Sequence, residues 1–564
     1  MLDNVQTRSP NWWERAVVYQ IYPRSFQDSN GDGIGDLGGV RRRLPYLADL
    51  GVDVIWLSPI YTSPQVDNGY DISNYRDIDP SFGTLEEFDQ MVAEAHELGI
   101  KIMMDVVVNH TSSQHPWFLE SRDPASAKRD WYFWRDAKPG ATPGTPGAEP
   151  DSSVAAFAPS AWYFDETSGQ YYLGLFSAGQ PDLNWENPDV RQAAYEMMRW
   201  WLDRGVDGFR LDVINLISKP ERITEGPLGD GDLFADSTNG RRLDEFLAEM
   251  NREVALSQRN VLTVGEMPGA TVEVARNVTG PDRNELTMVF TFEHMDIDGD
   301  GSKWNHLPLD LPALKRNLAT WQEGLAGQGW NSLYFDNHDQ PRVVSRFGDD
   351  SPQHREASAK TIATTLHLHQ GTPYIYQGEE LGMTNYPFTS IDQIADVESL
   401  NFFTLATADE MTEADAVKAI AAKGRDNART PVQWDASHNA GFTTGTPWLA
   451  VNPNYPQINA EAQVADPNSV WQHYRKLISL RHDEALVTDG EFSLLLPDHP
   501  ALWAFTRSGA EGTLLVLANW STEPVALPVD ELPELTGAQL LLGTHDDQTD
   551  SALQPWESRI LRLQ

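Results

Sequence analysis

The chain contains no cysteine, which excludes disulfides and thiolate metal sites. Positive charge is scarce. Against 83 Asp and Glu stand 42 Lys and Arg, a formal charge of −41 over 564 residues. A surface that negative disfavours nucleic acid, anionic membrane and phosphorylated ligands as partners. Residues 1–10 are polar with no apolar leader, and no run of eighteen apolar residues occurs. The expectation is a cytoplasmic protein without a membrane partner. Aromatic residues are plentiful by contrast. Core packing is the commoner use of the nineteen tryptophans, and a flat binding surface is the other.

Short apolar runs recur at 17–23, 53–60, 100–109, 206–214, 261–267, 286–293, 331–339 and 372–379. Between them lie helical patterns at 84–98, 188–203, 241–257, 311–326 and 356–369, with another at 467–481. The first opens on Thr84 with Glu87 three residues later, a capping box. Eight such units in one long chain predict an α/β fold, a parallel (β/α)8 TIM barrel. The barrel would occupy 1–110 and 184–486. An aromatic-rich insertion at 111–183 after strand three is too long for a plain loop and reads as a subdomain over the barrel mouth. A second stretch, 385–455, reads as irregular. From 487 to 564 short alternating strands predict a C-terminal antiparallel β-sandwich.

Several runs end in polar residues: Asn109-His110, Asp212, Glu266, His338-Asp339 and Glu379-Glu380. The C-terminal strand ends of such a barrel form its active face. Arg210 and Asp212 lie two apart on one strand, so they share a face. The cation would hold Asp212 ionised, as a carboxylate nucleophile requires, although a structural ion pair explains this octapeptide equally well. Hydrolysis of a glycosidic bond needs one carboxylate at C1 and one acid for the leaving oxygen. Crowding Asp212, Glu266 and Asp339 together would keep one of them protonated. Glu266 has the longer arm and is the candidate acid, while His110 and His338 can donate to hydroxyls. The same cluster could bind a divalent metal, but it lacks local ligand spacing of the His-Glu-x-x-His kind.

Asp28, Asn30, Asp32, Ile34 through its carbonyl, and Asp36 match positions 1, 3, 5, 7 and 9 of a calcium loop, with Gly33 at the sharp turn. Position 12 is Gly39 rather than glutamate, so the loop is not an EF-hand. Structural Ca2+ is the expectation, and an acidic Gly-rich turn is the alternative.

The blocks Asp105-Val-Val-Val-Asn109-His110, 208–215, Glu266-Met-Pro268 and Phe335-Asp-Asn-His338-Asp339-Gln-Pro-Arg342 resemble those of the α-amylase superfamily of glycoside hydrolases, family 13. Gln180-Pro-Asp-Leu-Asn184, Asp67-Asn-Gly-Tyr70-Asp and the stretch from Gly424 to Trp434 are similar to its oligo-1,6-glucosidase and neutral α-glucosidase branch. The resemblance runs from about residue 12 to 481. It implies a retaining exo-α-glucosidase acting on a small oligosaccharide, favouring α-1,6 linkages, with transglucosylation as a side activity and no organic cofactor. It makes Asp212 the nucleophile, Glu266 the acid/base and Asp339 a stabiliser. Asp67 and Arg429 would close the pocket, Tyr70 and Phe176 would stack the sugar, and Gln180 would line the leaving-group side. His110, Arg210 and His338 would complete the site. Val213 follows the nucleophile, and in similar enzymes valine there accompanies α-1,6 linkages. A monomer or weak homo-oligomer is expected, and the Asp28–Asp36 loop matches the branch's calcium site.

The sequence also departs from the family pattern. Gly174 stands where a histidine is usual, Phe157 where a double phenylalanine is usual, and Phe335-Asp336 in place of Trp-Asn, which would alter the aglycone side. No arginine-rich RLDRD-type loop occurs in 296–330, which favours hydrolysis over sucrose isomerisation. A trehalose-6-phosphate hydrolase is the nearest alternative, and Lys219 and Lys303 are the cations it could use for the phosphate. A non-catalytic relative of transporter heavy chains is disfavoured, because all three carboxylates are present.

Overall fold

The computed structural model describes residues 11–156, 158–224, 233–545 and 551–563. Phe157 lies outside the described residues. Eight parallel strands form the central sheet: β1 Val18–Ile21, β2 Val54–Leu57, β3 Lys101–Val107, β4 Gly208–Asp212, β5 Leu262–Glu266, β6 Met288–Phe290, β7 Ser332–Leu333 and β8 Thr372–Tyr376. Their order is β6-β5-β4-β3-β2-β1-β8-β7. A parallel bridge between Val289 and Asn331 joins the two ends and closes the barrel. Strands β1, β2, β4 and β8 are buried along their whole length. That is why they read as unbroken apolar runs rather than alternating ones. Helix Leu85–Glu97 carries the expected reciprocal cap, with Thr84 accepting from the Glu87 N–H and Glu87 accepting from the Thr84 N–H.

Between β3 and β4 the chain leaves the barrel. It forms helix Pro116–Ser121 and a three-stranded sheet of Trp134–Arg135, Trp162–Asp165 and Gln170–Leu173. Bridges His110–Asp182 and Tyr132–Leu183 pin the base of this excursion to the end of β3. Its apolar cluster of Phe133, Trp162, Tyr171 and Leu173 runs into Val213 and Leu216, directly after β4. Gly174 sits where an added Cβ would lie 2.8 Å from the Ser177 carbonyl oxygen. The loop has closed over the glycine and leaves no space for a histidine.

The stretch after β8 is more ordered than its sequence suggested. It holds helices Val397–Ala408, Glu413–Lys423 and Asp426–Arg429. The first two begin at side-chain caps, Asp396 and Thr412, so the start signals were present. Ile420 of the second helix packs with Phe388 and Ile394 in an apolar cluster of their own. The C-terminal part is a five-stranded antiparallel sheet faced by a pair of two-residue strands, Val525–Ala526 and Ala552–Leu553. It is fastened to barrel helix Leu311–Leu325 by the buried Lys315 ammonium, which donates to the carbonyls of Leu496, His499 and Leu502 at 2.7, 2.7 and 2.9 Å.

Phe335 and Asp336 do not reach the aglycone side. Both are buried, and Asp336 is hydrogen-bonded instead to the Glu379 carboxyl beyond β8. No described N–H or O–H donates to Asp336 Oδ1, which suits a proton shared between the two carboxyls. Val343 N–H and Tyr474 O–H brace the pair, and Arg342 and Arg346 face it. Burial pushes Asp336 up to about 6, and burial plus the Asp336 charge raises Glu379. Raised carboxyls favour the folded state below their unfolded pKa, and that contribution is lost as pH rises through the folded values. Asp336→Asn is therefore expected to leave stability nearly unchanged only near pH 3, below the unfolded carboxylate pKa. At pH 8 it should raise stability by about 1–3 kcal/mol, read from denaturation midpoints at both pH values. Parallel curves for the two proteins would refute the shared proton.

Candidate active site

Strand register assembles the catalytic cluster. Arg210 of β4 lies opposite Asp105 of β3 and Val264 of β5. Asp212 and Glu266, each two residues further on, therefore point the same way. One Arg210 nitrogen, Nη1, reaches Asp105 Oδ1 at 2.8 Å and Asp212 Oδ1 at 2.6 Å, and Nη2 reaches Glu266 Oε2 at 2.6 Å. The Val213 N–H donates to the same Glu266 oxygen at 3.0 Å. Three carboxyls around one guanidinium keep a proton near neutrality. Burial raises the Asp212 carboxyl well above its ordinary value against the pull of Arg210, and it pushes Asp105 up to about 6. The expectation that Arg210 alone fixes Asp212 as ionised is thus corrected. Desolvation and the Glu266 charge oppose Arg210.

Asp339 has the opposite surroundings. Arg429 Nη2 and Arg425 Nη1 approach its Oδ1 at 2.8 and 3.3 Å. Burial opposes its charge, yet these guanidinium groups, joined by His338 only once that ring is protonated in acid, outweigh burial and hold the carboxyl well below the usual range. His338 is itself kept neutral by burial, which pushes it down to about 3. Gln20 donates to its Nδ1 at 2.9 Å, so Nε2 carries the proton and meets Tyr70 Oη at 2.7 Å. Tyr70 in turn donates to Asp105 at 3.0 Å. The chain of bonds locks Tyr70 upright against the His338 ring, at 5.2 Å and 9°.

The pocket above these groups is lined by Asp67, Tyr70, His110, Phe176, Gln180, Asp212, Val213, Glu266, Asp339 and Arg425. Nine of the expected site residues, the carboxylates Asp212, Glu266 and Asp339 among them, thus meet there, with Arg425 added. Arg210 and His338 lie just behind. Arg429 does not line the pocket and instead bonds Asp339 and Asp396 from below. The residue that sequence reasoning missed is Arg425, four positions earlier. Its guanidinium spans Asp67 at 3.2 Å, Asp339 at 3.3 Å and Asp396 at 2.6 Å, with Glu398 at 3.4 Å. Gln180 Nε2 donates to Asp67 at 3.1 Å from the other side. The only sequence signal was that an arginine sits on the same short helical turn as Arg429.

Val213 is held at φ 34°, ψ 43°, a left-handed conformation that a β-branched residue adopts only under constraint. That twist points its side chain into the pocket beside Asp212 and its N–H at Glu266.

A model of the alpha amylase catalytic domain matches residues 20–490. The chain belongs to the alpha-amylase family. It is a glycoside hydrolase of that family. It is 52% identical to an oligo-1,6-glucosidase of Parageobacillus thermoglucosidasius over 98% of this chain and 99% of that one. It is 49% identical to a trehalose-6-phosphate hydrolase of Bacillus subtilis, covering 99% of both. Among solved structures, the trehalose-6-phosphate hydrolase of Bacillus licheniformis superposes with a TM-score of 0.92 at 46% identity, covering 98% of this chain and 100% of that one. Among the described residues no helix is long and apolar enough to cross a membrane.

In the loop Asp28–Asp36, successive side-chain turns fold the oxygens inward. Asp28 accepts from the N–H groups of Asn30, Gly31 and Gly33, Asn30 from Asp32, and Asp32 from Ile34. Asp36 accepts from Ser29 and caps the next helix through Gly39. A Cβ at Gly33 would overlap the Thr446 carbonyl oxygen at 1.9 Å. Among the described residues no three Asp, Glu, His or Cys side chains converge by themselves on a metal position. A full ligand set here would need Asn30 and the Ile34 carbonyl.

Proposed function

We propose that the enzyme is a retaining, exo-acting α-glucosidase that releases α-glucose from the non-reducing end of short α-glucosides and favours α-1,6 linkages. The observation that carries this reading is the pocket's blind end, closed by the Asp67–Arg425 pair next to Asp212 and Glu266. Such a pocket admits a terminal sugar and no interior chain segment. Asp212 attacks C1 while Glu266 delivers a proton to the departing oxygen. Water, deprotonated by Glu266, then releases glucose from Asp212 with the anomer retained. One guanidinium grips both carboxyls, which favours the separation of about 5–5.5 Å of a retaining pair over the wider gap that an inverting water needs. Asp339, kept ionised, accepts sugar hydroxyls, and a competing sugar in place of water would give transglucosylation. We further propose a cytoplasmic enzyme, a monomer or weak homo-oligomer.

The reading is tested by release of glucose from isomaltose, maltose, sucrose and trehalose 6-phosphate, with the first-formed anomer followed. Fast α-glucose from isomaltose is expected, and β-glucose would overturn retention. Val213→Ala should shift kcat/KM from isomaltose towards maltose by about 10-fold, the scale of one or two methyl groups in a pocket. An unchanged substrate ratio rejects the steric role.

Trehalose 6-phosphate is the second reading, favoured by the relatives at 49% and 46% identity. Against it, both candidate cations are committed elsewhere, Lys219 to Asp182 and Lys303 to Glu398.

We also propose that the Asp28–Asp36 loop holds a structural Ca2+ through Asp28, Asn30, Asp32, Asp36 and the Ile34 carbonyl, an all-oxygen set that suits a hard cation. Ca2+ at 100 times its dissociation constant should then stabilise the fold by about 2.7 kcal/mol over a chelator, seen as a higher Tm. Equal melting in both, or an equal shift in Asp28→Ala, would assign the loop as an acidic turn.

A further inference from the structure

The turn that carries Asp67 to Arg425 is strained, and packing holds it weakly. Within residues 65–69, Gln65 stands at φ 64°, Asn68 at φ 47° and Gly69 at φ 104°. The first two are not glycine, so the left-handed conformation costs them free energy. Apolar burial does little to offset that, because Val66 is 47% exposed. Such a backbone persists only where other contacts fix it. Asp71 supplies them. Its side chain is buried, and its two oxygens accept from consecutive main-chain N–H groups, Oδ2 from Val66 at 3.0 Å and Oδ1 from Asp67 at 3.1 Å. Ser63 Oγ donates to Oδ1 at 3.0 Å and accepts from the Gln65 N–H at 3.0 Å. One carboxylate thus ties both the start of the turn and Asp67 itself, through hydrogen bonds strengthened by its charge.

We infer that Asp71 is a positioning residue for substrate binding, which acts through Asp67 by fixing where that carboxylate meets Arg425 at the blind end of the pocket. Asp71 does not line the pocket, so it touches no sugar. The inference rests on the exo-glucosidase reading above, in which Asp67 serves the terminal glucose, and it is independent of the linkage preferred. Asp67 lies at the closed end and the reacting bond lies at Asp212 and Glu266, so a loosened turn weakens substrate and transition state alike. That raises KM and spares kcat. Burial pushes the Asp71 carboxyl up to about 6, against the hydrogen bonds from Asp67 and Val66. Asp67 is the like charge that faces it, and Asp79 holds the Ser63 N–H from the other side. Protonation puts an O–H where an N–H now finds an acceptor, so the hold on Asp67 weakens as pH falls through that value.

Steady-state kinetics on an aryl α-glucoside, which places its glucose in the pocket whatever linkage the enzyme prefers, test this. Asp71→Asn should raise KM about tenfold, the scale of one charge-assisted hydrogen bond, with kcat within about threefold. The native-to-variant ratio of kcat/KM should be largest near pH 8 and shrink below about pH 6. Asp67→Ala should also raise KM, and Asp71→Asn added to it should change KM by no more than about twofold, because the group through which Asp71 acts is already gone. Ser63→Ala removes one donor to the carboxylate and should raise KM about threefold, which keeps the inference testable should Asp71→Asn not fold. Additive effects in the double variant, a pH-independent ratio, or loss of kcat with KM unchanged overturns the inference. So does an unaltered KM in Asp71→Asn, or in Ser63→Ala where Asp71→Asn does not fold, beside a raised KM in Asp67→Ala. An unaltered KM in Asp67→Ala instead overturns the pocket reading, and the inference falls with it.

Discussion

Asp212→Asn is expected to lower kcat on isomaltose by about 10^4-fold or more, the scale on which removal of a nucleophile is felt. The same substitution should leave the fold intact. Arg210 keeps Asp105 and Glu266 as partners at 2.8 and 2.6 Å, and the amide carbonyl can still accept from Nη1. Removing one of three carboxyls around a single guanidinium also relieves like-charge crowding, so the melting temperature should hold or rise. Glu266→Gln supplies the contrast. It removes the proton donor but not the nucleophile, so an aryl glucoside whose leaving group needs no protonation should still form a glycosyl-enzyme and then stall. Isolation of that adduct and mapping of its attachment is the deciding measurement. A label on any residue but Asp212 would falsify the assignment, and equal losses on good and poor leaving groups would remove Glu266 from the acid role.

Much of this was legible in the sequence because it follows from local rules. Eight apolar runs gave eight strands, since a strand buried on both faces has no polar positions to blur the pattern. The i, i+2 spacing placed Arg210 beside Asp212, and the strand ends brought Glu266 and Asp339 to the same face. What was not legible depends on contacts between distant segments. The desolvation of Asp212 comes from walls contributed by other strands and by the inserted subdomain. Arg425 and Arg429 share one helical turn, and which of them reaches the pocket is set by how Asp396 and Glu398, on a different helix, draw in the guanidinium. The left-handed Val213 leaves no trace in composition, because valine is a poor choice for that conformation. It is tolerated where Glu266 and the subdomain cluster hold it from two sides. Asp336 shows the same limit. Asp339, three residues on, lines the site, while the Asp336 carboxyl turns back towards Glu379.

Lys219 gives the second large effect, and it separates structure from substrate choice. Its ammonium lies at 2.6 Å from Asp182 Oδ2, 2.6 Å from Asn109 Oδ1 and 2.6 Å from the Leu216 carbonyl. Lysine and aspartate side chains are 1% and 0% exposed. Burial lowers the lysine pKa while Asp182 supports its charge. Asp182 itself receives the Leu175 N–H at 2.9 Å and bridges to His110. One ion pair thus ties the turn after β4, the end of β3 and the base of the subdomain together. Lys219→Met strands the Asp182 carboxylate in the interior, which should cost about 3–5 kcal/mol of stability. Phe176 and Gln180 reach the pocket from the same segment, so KM on isomaltose should rise more than kcat falls. Lys219→Met with Asp182→Asn should recover part of the stability, because the stranded charge is then gone. Throughout, the ratio of activity on trehalose 6-phosphate to that on isomaltose should stay constant, since the ammonium points at Asp182 and away from any phosphate. A selective loss of the phosphorylated substrate in Lys219→Met, with stability unchanged, would show that this lysine serves the ligand rather than the fold.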